Sequence, residues 1–313
     1  MKHLIINADD FGYSARVNAA VLRAHREGVL TSASLMVAEA GWREAVAIAR
    51  RTPTLGVGLH VVTTFDKAVL PAQEIPHLLG AQGKFGADPL RVGLRYAFSR
   101  AARRELRREM EAQFERFAQT GLPWSHVDGH QHFHMHPVVW DYLLDLCDRY
   151  GVHRLRIPHE KLRAHLRDGG DGPNLNTAAL LALRVLRRRN LRVLRARKTL
   201  GGRPPFFCDR VYGHLQSSNM NAAYLLRLLE RLNGTAVEIY FHPGTDYARP
   251  LPPAQQTEDV RDVELHALLD PAVRAKIETL GLCTGRYADV EAAIRISELG
   301  TKSGNTRGSN TAL

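Results

Sequence analysis

Short apolar runs alternate with longer helical patterns from one end of this chain to the other, a rhythm that points to βα repeats around a largely parallel sheet. The first run, Leu4 to Ala8, leads into Asp9-Asp10-Phe11-Gly12. Ser14 then suits the N-cap of a helix through Glu27, closed by Gly28. Ser32 to Ala38 reads as a second strand, Gly41 to Arg51 as a helix stopped before Pro53, and Leu55 to His60 as a third strand. Pro71 to Pro89, punctuated by Pro, Gly and Gln, is too long for a bare connector and reads as a working loop over a site. Leu90 to Gln119 reads as one long helix, with Leu94, Phe98, Ala102, Leu106, Met110, Phe114 and Phe117 at three- and four-residue spacing. Ser125 to Gly129 and Leu155 to Pro158 read as strands around a helix from Pro137 to Tyr150. Further on, Ala222 to Leu232 reads as helix and Ala236 to Phe241 as strand, with helices near Val260 to Leu269, Pro271 to Leu280 and Arg286 to Ile296. No linker divides residues 1–298, so the expectation is one α/β domain of seven or eight βα units closed into a TIM-barrel-like barrel. A doubly wound open sheet is the alternative, and residues 299–313, rich in Ser, Thr, Gly and Asn, are expected to be a disordered tail.

Composition narrows the class further. A chain of 313 residues, 44% hydrophobic and 24% charged, can bury a large core, which excludes disorder throughout. No run approaches the roughly 18 apolar residues of a membrane span. The amino terminus reaches Asp9 and Asp10 before an export-signal core could form, and Cys147, Cys208 and Cys283 are too scattered for a disulfide framework or a thiolate zinc site. A cytoplasmic protein is expected. The net charge of +11 is local: residues 91–108 carry +6 and residues 184–198 carry +8, leaving −3 elsewhere. Such patches imply an anionic partner. Leu180 to Lys198 interleaves apolar residues with its cations, the pattern of a helix lying on an anionic lipid surface through Arg184 to Lys198, or of an outer barrel helix with a solvated face. Nucleic acid is not expected, because stacking aromatics do not accompany the patches.

Four polar clusters follow four strand candidates: Asp9-Asp10, His60, the run from His126 to His136, and His242. In a parallel barrel the C-terminal strand ends open on one face, so these clusters should converge there. If the His run stays extended, alternation puts His126, Asp128, His130, His132 and His134 on one face, a ready set of metal ligands and their supports. A solvated loop is the bland alternative. Of the adjacent carboxylates Asp9 and Asp10, one can ligate a metal while the other faces an activated water; alone, the pair would read as a turn or cap. His60 and His242 gain weight only from their place on the same face. One carboxylate with two imidazoles leaves coordination positions open, the arrangement of a catalytic metal, and supports hydrolysis of an amide, ester or phosphate.

At these residues the sequence resembles the YdjC/ChbG-type carbohydrate deacetylase family, and within it the hopanoid-biosynthesis-associated deacetylases. The matching elements are Asn7-Ala8-Asp9-Asp10-Phe11-Gly12, Thr31-Ser32-Ala33-Ser34, Gly58-Leu59-His60, the run His126 to Met135, and Phe241-His242-Pro243-Gly244. The resemblance implies a distorted (β/α) barrel that removes acetyl from an N-acetylated sugar using one divalent cation, Mg2+ or Zn2+. It places the metal ligands on Asp10, His60 and His130, the base on Asp9 and the acid on His242. Asp128, His132, His134 and Arg156 are expected around them, as supports or substrate contacts. Gly129 departs from the family pattern, where many relatives have Ser, and so does the basic segment within residues 160–205, which counts against a soluble chitooligosaccharide; the substrate that the resemblance implies is a lipid-linked N-acetylglucosaminyl hopanoid. The rival readings are a deacetylase of soluble N-acetylglucosamine oligosaccharides, a metal-dependent phosphoesterase or other amidohydrolase on the same barrel, and a non-catalytic metal- or lipid-binding protein. A homodimer is compatible with all of them.

Overall fold

The computed structural model describes residues 1–80, 82–167, 169–170, 175–244 and 262–305. In chain order the elements begin with β1 (His3–Phe11), α1 (Ala15–Arg26), β2 (Ser32–Leu35), α2 (Trp42–Arg50), β3 (Gly56–Val61), α3 (Pro89–Phe98), α4 (Arg100–Gln119) and β4 (Val127–Gly129). A 3₁₀ turn at His130–Met135 leads to α5 (Pro137–Arg149), α6 (Leu162–Arg167), α7 (Leu175–Arg197), β5 (Arg210–Tyr212), α8 (Ala222–Glu230) and β6 (Ala236–Phe241). The last elements are α9 (Val263–Leu269), α10 (Pro271–Thr279), β7 (Cys283–Thr284) and α11 (Tyr287–Asn305).

β1 is central because its apolar residues suit burial on both faces: Leu4, Ile5, Ile6 and Ala8 are all buried. The strands form a parallel path in the order β4-β3-β2-β1-β6-β5, and β7 takes the edge of β1 at His3 and Leu4, ahead of the point where β2 joins it at Asn7. The result is a parallel-strand α/β half-barrel of six strands with a two-residue seventh, where the pattern reading expected seven or eight around a closed barrel. Residues 153–159 lie between edge strands β4 and β5 but make only isolated bridges, Val127 to Leu155, Arg154 to Phe206 and His159 to Val211. Pro158, Pro204 and Pro205 offer no backbone N–H in this region, so regular ladders cannot extend through it.

Several expected elements change at their ends. The single helix expected over 90–119 is two, because Ser99 adopts extended angles and its side chain accepts from the Ala102 N–H, capping α4. β2 ends at Leu35, and α11 runs through residues expected to be tail. Val260 and Arg261 of the helix expected near Val260 to Leu269, and residues 306–313 of the tail, lie outside the described residues. The three cysteines are free. No helix among the described residues is long and apolar enough to cross a membrane.

α4 carries two faces. Leu106, Met110, Phe114 and Phe117 enter the core, while the buried Glu109 accepts the N–H groups of Val69 and Leu70, both at 2.8 Å. Glu105 accepts the N–H of His77 at 2.8 Å. These carboxylates satisfy amides of the irregular segment between β3 and α3 and hold it over the strand ends.

Candidate metal centre and active site

β1 delivers two adjacent carboxylates to one place by breaking its own regularity. Its register against β2 shifts between Ala8 and Phe11, and Asp10 sits at φ 63, a left-handed conformation that costs a non-glycine residue about 1 kcal/mol or more. In a regular strand Asp9 and Asp10 would point to opposite faces. Here both are buried at the C-terminal end of the sheet.

Asp10, His60 at the end of β3 and His130 just beyond β4 each present a ligand atom, all within 4.8 Å of one another. Asp10 Oδ1 lies 3.1 Å from His130 Nδ1 and 3.5 Å from His60 Nε2, and Asp10 Oδ2 is buried without a hydrogen-bond partner. An orphaned buried carboxylate oxygen between two imidazoles fits a divalent cation, which would satisfy it and take one nitrogen from each ring. His60 Nδ1 donates to Asp128 Oδ1 at 2.7 Å, the support commonly given to a ligating imidazole. Burial alone would lower the His60 pKa, but Asp128, Asp9 and Asp10 outweigh it and hold it up at about 9. Burial also opposes ionisation of Asp10, yet His130, His242 and His60 bring it down to about 2.

Arg156 organises the other carboxylates. Fully buried, it reaches both oxygens of Asp9 at 2.7 Å, Asp128 Oδ2 at 2.7 Å and Glu238 Oε1 at 2.8 Å. Its position shows why a buried guanidinium is tolerated: every face meets an anion or the ring of Tyr240, 4.7 Å away. Asn7 Nδ2 donates to Asp9 Oδ1 and to Ser34 Oγ, each at 2.9 Å, and Ser34 Oγ donates to Asp128 Oδ2 at 2.8 Å. Asp9 is thereby fixed beside the ligand set, facing a narrow pocket also lined by His132, Tyr240 and His242. His242 follows β6; its backbone N–H donates to Glu264, whose carboxylate also lies 3.7 Å from the ring. Burial would depress the His242 pKa, but Glu264, Asp10 and Asp9 raise it above the usual imidazole value.

The His run does not stay extended. β4 ends at Gly129, and Gln131 and His132 take φ of 53 and 55 in the turn that follows. The expected single face of five side chains is therefore divided. His130 joins Asp10 and His60. His132 Nε2 lies 3.0 Å from Tyr240 Oη on the pocket wall. His134 Nε2 donates to the Arg156 carbonyl at 3.0 Å, and His126 stacks on Tyr287 at 4.1 Å over Gly58. Burial drives the pKa of His126 and His134 down to about 4, which suits neutral, structural rings.

Sequence reasoning missed Ser34, Glu238, Glu264 and Asp66 as members of this centre. Glu238 left a signal, a lone carboxylate inside the apolar strand Ala236 to Phe241. Ser34 stands in the matched element Thr31-Ser32-Ala33-Ser34 without a role being assigned to it, Glu264 left no signal beyond its polar type, and Asp66 lies in an irregular segment with no period to read.

A sequence model of the YdjC-like protein family matches residues 3–279. The chain belongs to this family. The YdjC-like chain is 45% identical over 149 residues to a carbohydrate deacetylase of Brevibacillus brevis, covering 48% of itself and 57% of that protein. It is 34% identical over 163 residues to a chitooligosaccharide deacetylase of Serratia marcescens, covering 52% of itself and 62% of that protein. It thus spans less than two thirds of the length of these relatives. In structure it resembles a proposed cellobiose-phosphate cleavage protein of Enterococcus faecalis V583, with a TM-score of 0.67 at 22% identity over 92% of this chain and 98% of that one. That likeness is one of fold.

Proposed function

We propose that this protein hydrolyses the acetamide of an N-acetylated sugar to the free amine and acetate, using one divalent cation, Mg2+ or Zn2+, held by Asp10, His60 and His130. The observation that carries the reading is the carboxylate and two imidazoles gathered within 4.8 Å, with a second carboxylate, Asp9, clamped beside them. The carbohydrate and chitooligosaccharide deacetylases among the relatives support a sugar acetamide as the bond attacked.

When bound, the cation supplies Lewis acidity, polarising the acetamide carbonyl and lowering the pKa of water. Arg156 keeps Asp9 oriented toward the pocket, where Asp9 takes a proton from water as the water oxygen bonds to the carbonyl carbon. As the carbon–nitrogen bond breaks, His242 gives a proton to the departing nitrogen, and Glu264 holds the ring for that transfer. His132 and Tyr240 form the pocket wall against which the sugar sits.

The finer substrate is an N-acetylglucosaminyl hopanoid-type glycolipid, met at the inner face of the cell membrane. The resemblance names the lipid, and α7 supports a lipid surface. Asn176, near its start, lines the pocket, and beyond it Leu181 (59% exposed), Arg184, Val185 (65% exposed), Arg188, Arg192 and Arg195 form an exposed stripe. Arg189 and Arg197 are not part of that stripe, since they pair with Asp141 and with Asp145 and Asp148 of α5.

The test is mass spectrometry of substrates before and after incubation with metal-loaded protein. N-acetylglucosaminyl lipid in anionic vesicles, soluble chitooligosaccharide and a phosphate ester are compared. Loss of one acetyl group from the glycolipid is the expected result. Turnover of the oligosaccharide alone keeps the deacetylase and removes the lipid; turnover of the phosphate ester alone overturns both.

A further inference from the structure

His130 has a carboxylate close to each of its ring nitrogens, one in hydrogen-bond geometry and one at ion-pair distance. Nδ1 lies 3.1 Å from Asp10 Oδ1, and Nε2 lies 3.2 Å from Oδ2 of Asp66. His60 is answered in the same way, with Nε2 toward Asp10 and Nδ1 on Asp128. Each imidazole therefore turns one nitrogen to the shared carboxylate and the other to a buried carboxylate outside the triad. A carboxylate on the far nitrogen of a ligating imidazole fixes the ring's rotation and leaves the near nitrogen as the donor.

The surroundings of Asp66 are built for a fixed carboxylate. The residue is 4% exposed although it lies in an irregular segment. Phe65, immediately before it, holds φ 69, a strained conformation for an aromatic residue, and its ring meets His130 edge-on at 6.3 Å. The Asp66 carbonyl accepts the N–H of Phe85 at 3.0 Å, and Lys84 Nζ stands 3.6 Å from its carboxylate. Lys84 and Phe85 belong to the same segment that Glu105 and Glu109 hold over the strand ends.

We propose that Asp66 is the positioning residue of His130: its carboxylate holds Nε2, aims Nδ1 at the cation, and ties the covering segment to the metal centre. This rests on the reading that Asp10, His60 and His130 hold a divalent cation. Metal retention then depends on a residue of the cover as well as on the three ligands.

The experiment strips the full-length protein of metal and titrates it with Co2+, following the visible ligand-field absorption, alongside equilibrium dialysis with Zn2+. Wild type, Asp66→Asn, Asp66→Glu, His130→Ala and Glu74→Gln are compared, with thermal unfolding of each metal-free form to check folding. Glu74, paired with Arg108 on the outside of the same segment, serves as the control. The expected result is affinity about 10- to 100-fold weaker in Asp66→Asn with an altered absorption band, partial recovery in Asp66→Glu, and no change in Glu74→Gln. If wild type binds Co2+, His130→Ala does not, and folded Asp66 variants match wild type in affinity and band shape, Asp66 has no positioning role and the metal centre stands. Should Asp66→Asn fail to fold, Asp66→Glu decides the matter by the same comparison. Failure of wild type to bind either metal overturns the ligand reading and this inference with it.

Discussion

At the scale of single residues, the proposed reaction separates holding a cation from moving a proton. Asp10 is the carboxylate with an orphaned oxygen among imidazoles, whereas both oxygens of Asp9 are taken up by Arg156. Asp9→Asn should therefore retain metal, measured by elemental analysis after dialysis, while kcat falls about 10²- to 10⁴-fold. His130→Ala should lose both. Full turnover in Asp9→Asn would show that another group accepts the proton. Gly129 makes a different point, because its φ of −162 is ordinary extended backbone and conformational freedom is not why glycine stands there. The reason is His134, which folds back so closely that a Cβ on residue 129 would lie 2.8 Å from His134 Cβ. The Ser that the resemblance leads one to expect at this position cannot be added without moving His134, which carries the Arg156 carbonyl. Gly129→Ser should cost about 1–3 kcal/mol of stability, read from urea unfolding. An unchanged midpoint would mean that the turn yields freely.

Elements show which parts of this arrangement can be read from a sequence. Strands β1, β3 and β6 were legible because each is a run of apolar residues buried on both faces and ended by a polar cluster. Their convergence followed from parallel topology alone. The turn after Gly129 was not legible, since alternating histidines satisfy a strand pattern equally well and the contacts that fix the turn, with Asp10, Tyr240 and the Arg156 carbonyl, lie far away in sequence. α4 misled in another way: its apolar spacing is real, but the buried Glu105, Glu109 and Gln113 bond loop amides that lie far away in sequence. Glu109→Ala should leave the amides of Val69 and Leu70 without their acceptor. We expect a loss of about 1–3 kcal/mol and faster limited proteolysis between residues 69 and 88, with cleavage at the wild-type rate counting against the pinning role. α7 is read by the opposite operation, removing charge from an exposed face. Replacing Arg184, Arg188, Arg192 and Arg195 together by Ser should weaken sedimentation with anionic vesicles by an order of magnitude or more, at roughly 1 kcal/mol per cation, while leaving hydrolysis of a soluble acetylated sugar intact. Equal vesicle binding by the variant would assign the stripe to solvent.

For the whole molecule, the centre is also a structural crosslink. Arg156 from between the edge strands, Asp9 from β1, Asp128 from β4 and Glu238 from β6 meet in one buried cluster, with Tyr287 of α11 donating to Glu238 at 2.5 Å. Groups that the proposed catalysis needs ionised thus share an interior with groups that burial prefers neutral, and the second kind gives global stability a pH dependence. Glu160 is the clearest case. It is buried where residues 153–159 meet the turn after β5, accepts the N–H groups of His214 and Leu215 at 3.1 Å each, and lies outside the ligand set. Burial outweighs those amides and pushes its pKa up from 4.5 to about 7. The unfolded chain thus releases this proton near pH 4.5 and the folded chain only near 7, so the stabilising contribution is whole below the first value and gone above the second. A shift of that size corresponds to about 3 kcal/mol lost as pH rises across the window. Other groups titrate as well, among them Asp10, whose lowering from 3.8 to about 2 acts with the opposite sign and below this window, so the readout is the difference between wild type and Glu160→Gln. Gln is neutral at every pH and keeps an acceptor for the two amides. In urea unfolding the two proteins should be nearly equal at pH about 4.5, and the variant should be more stable by up to about 3 kcal/mol at pH about 8. A difference that stays constant across the range would mean that Glu160 ionises in the folded protein as it does in the unfolded chain.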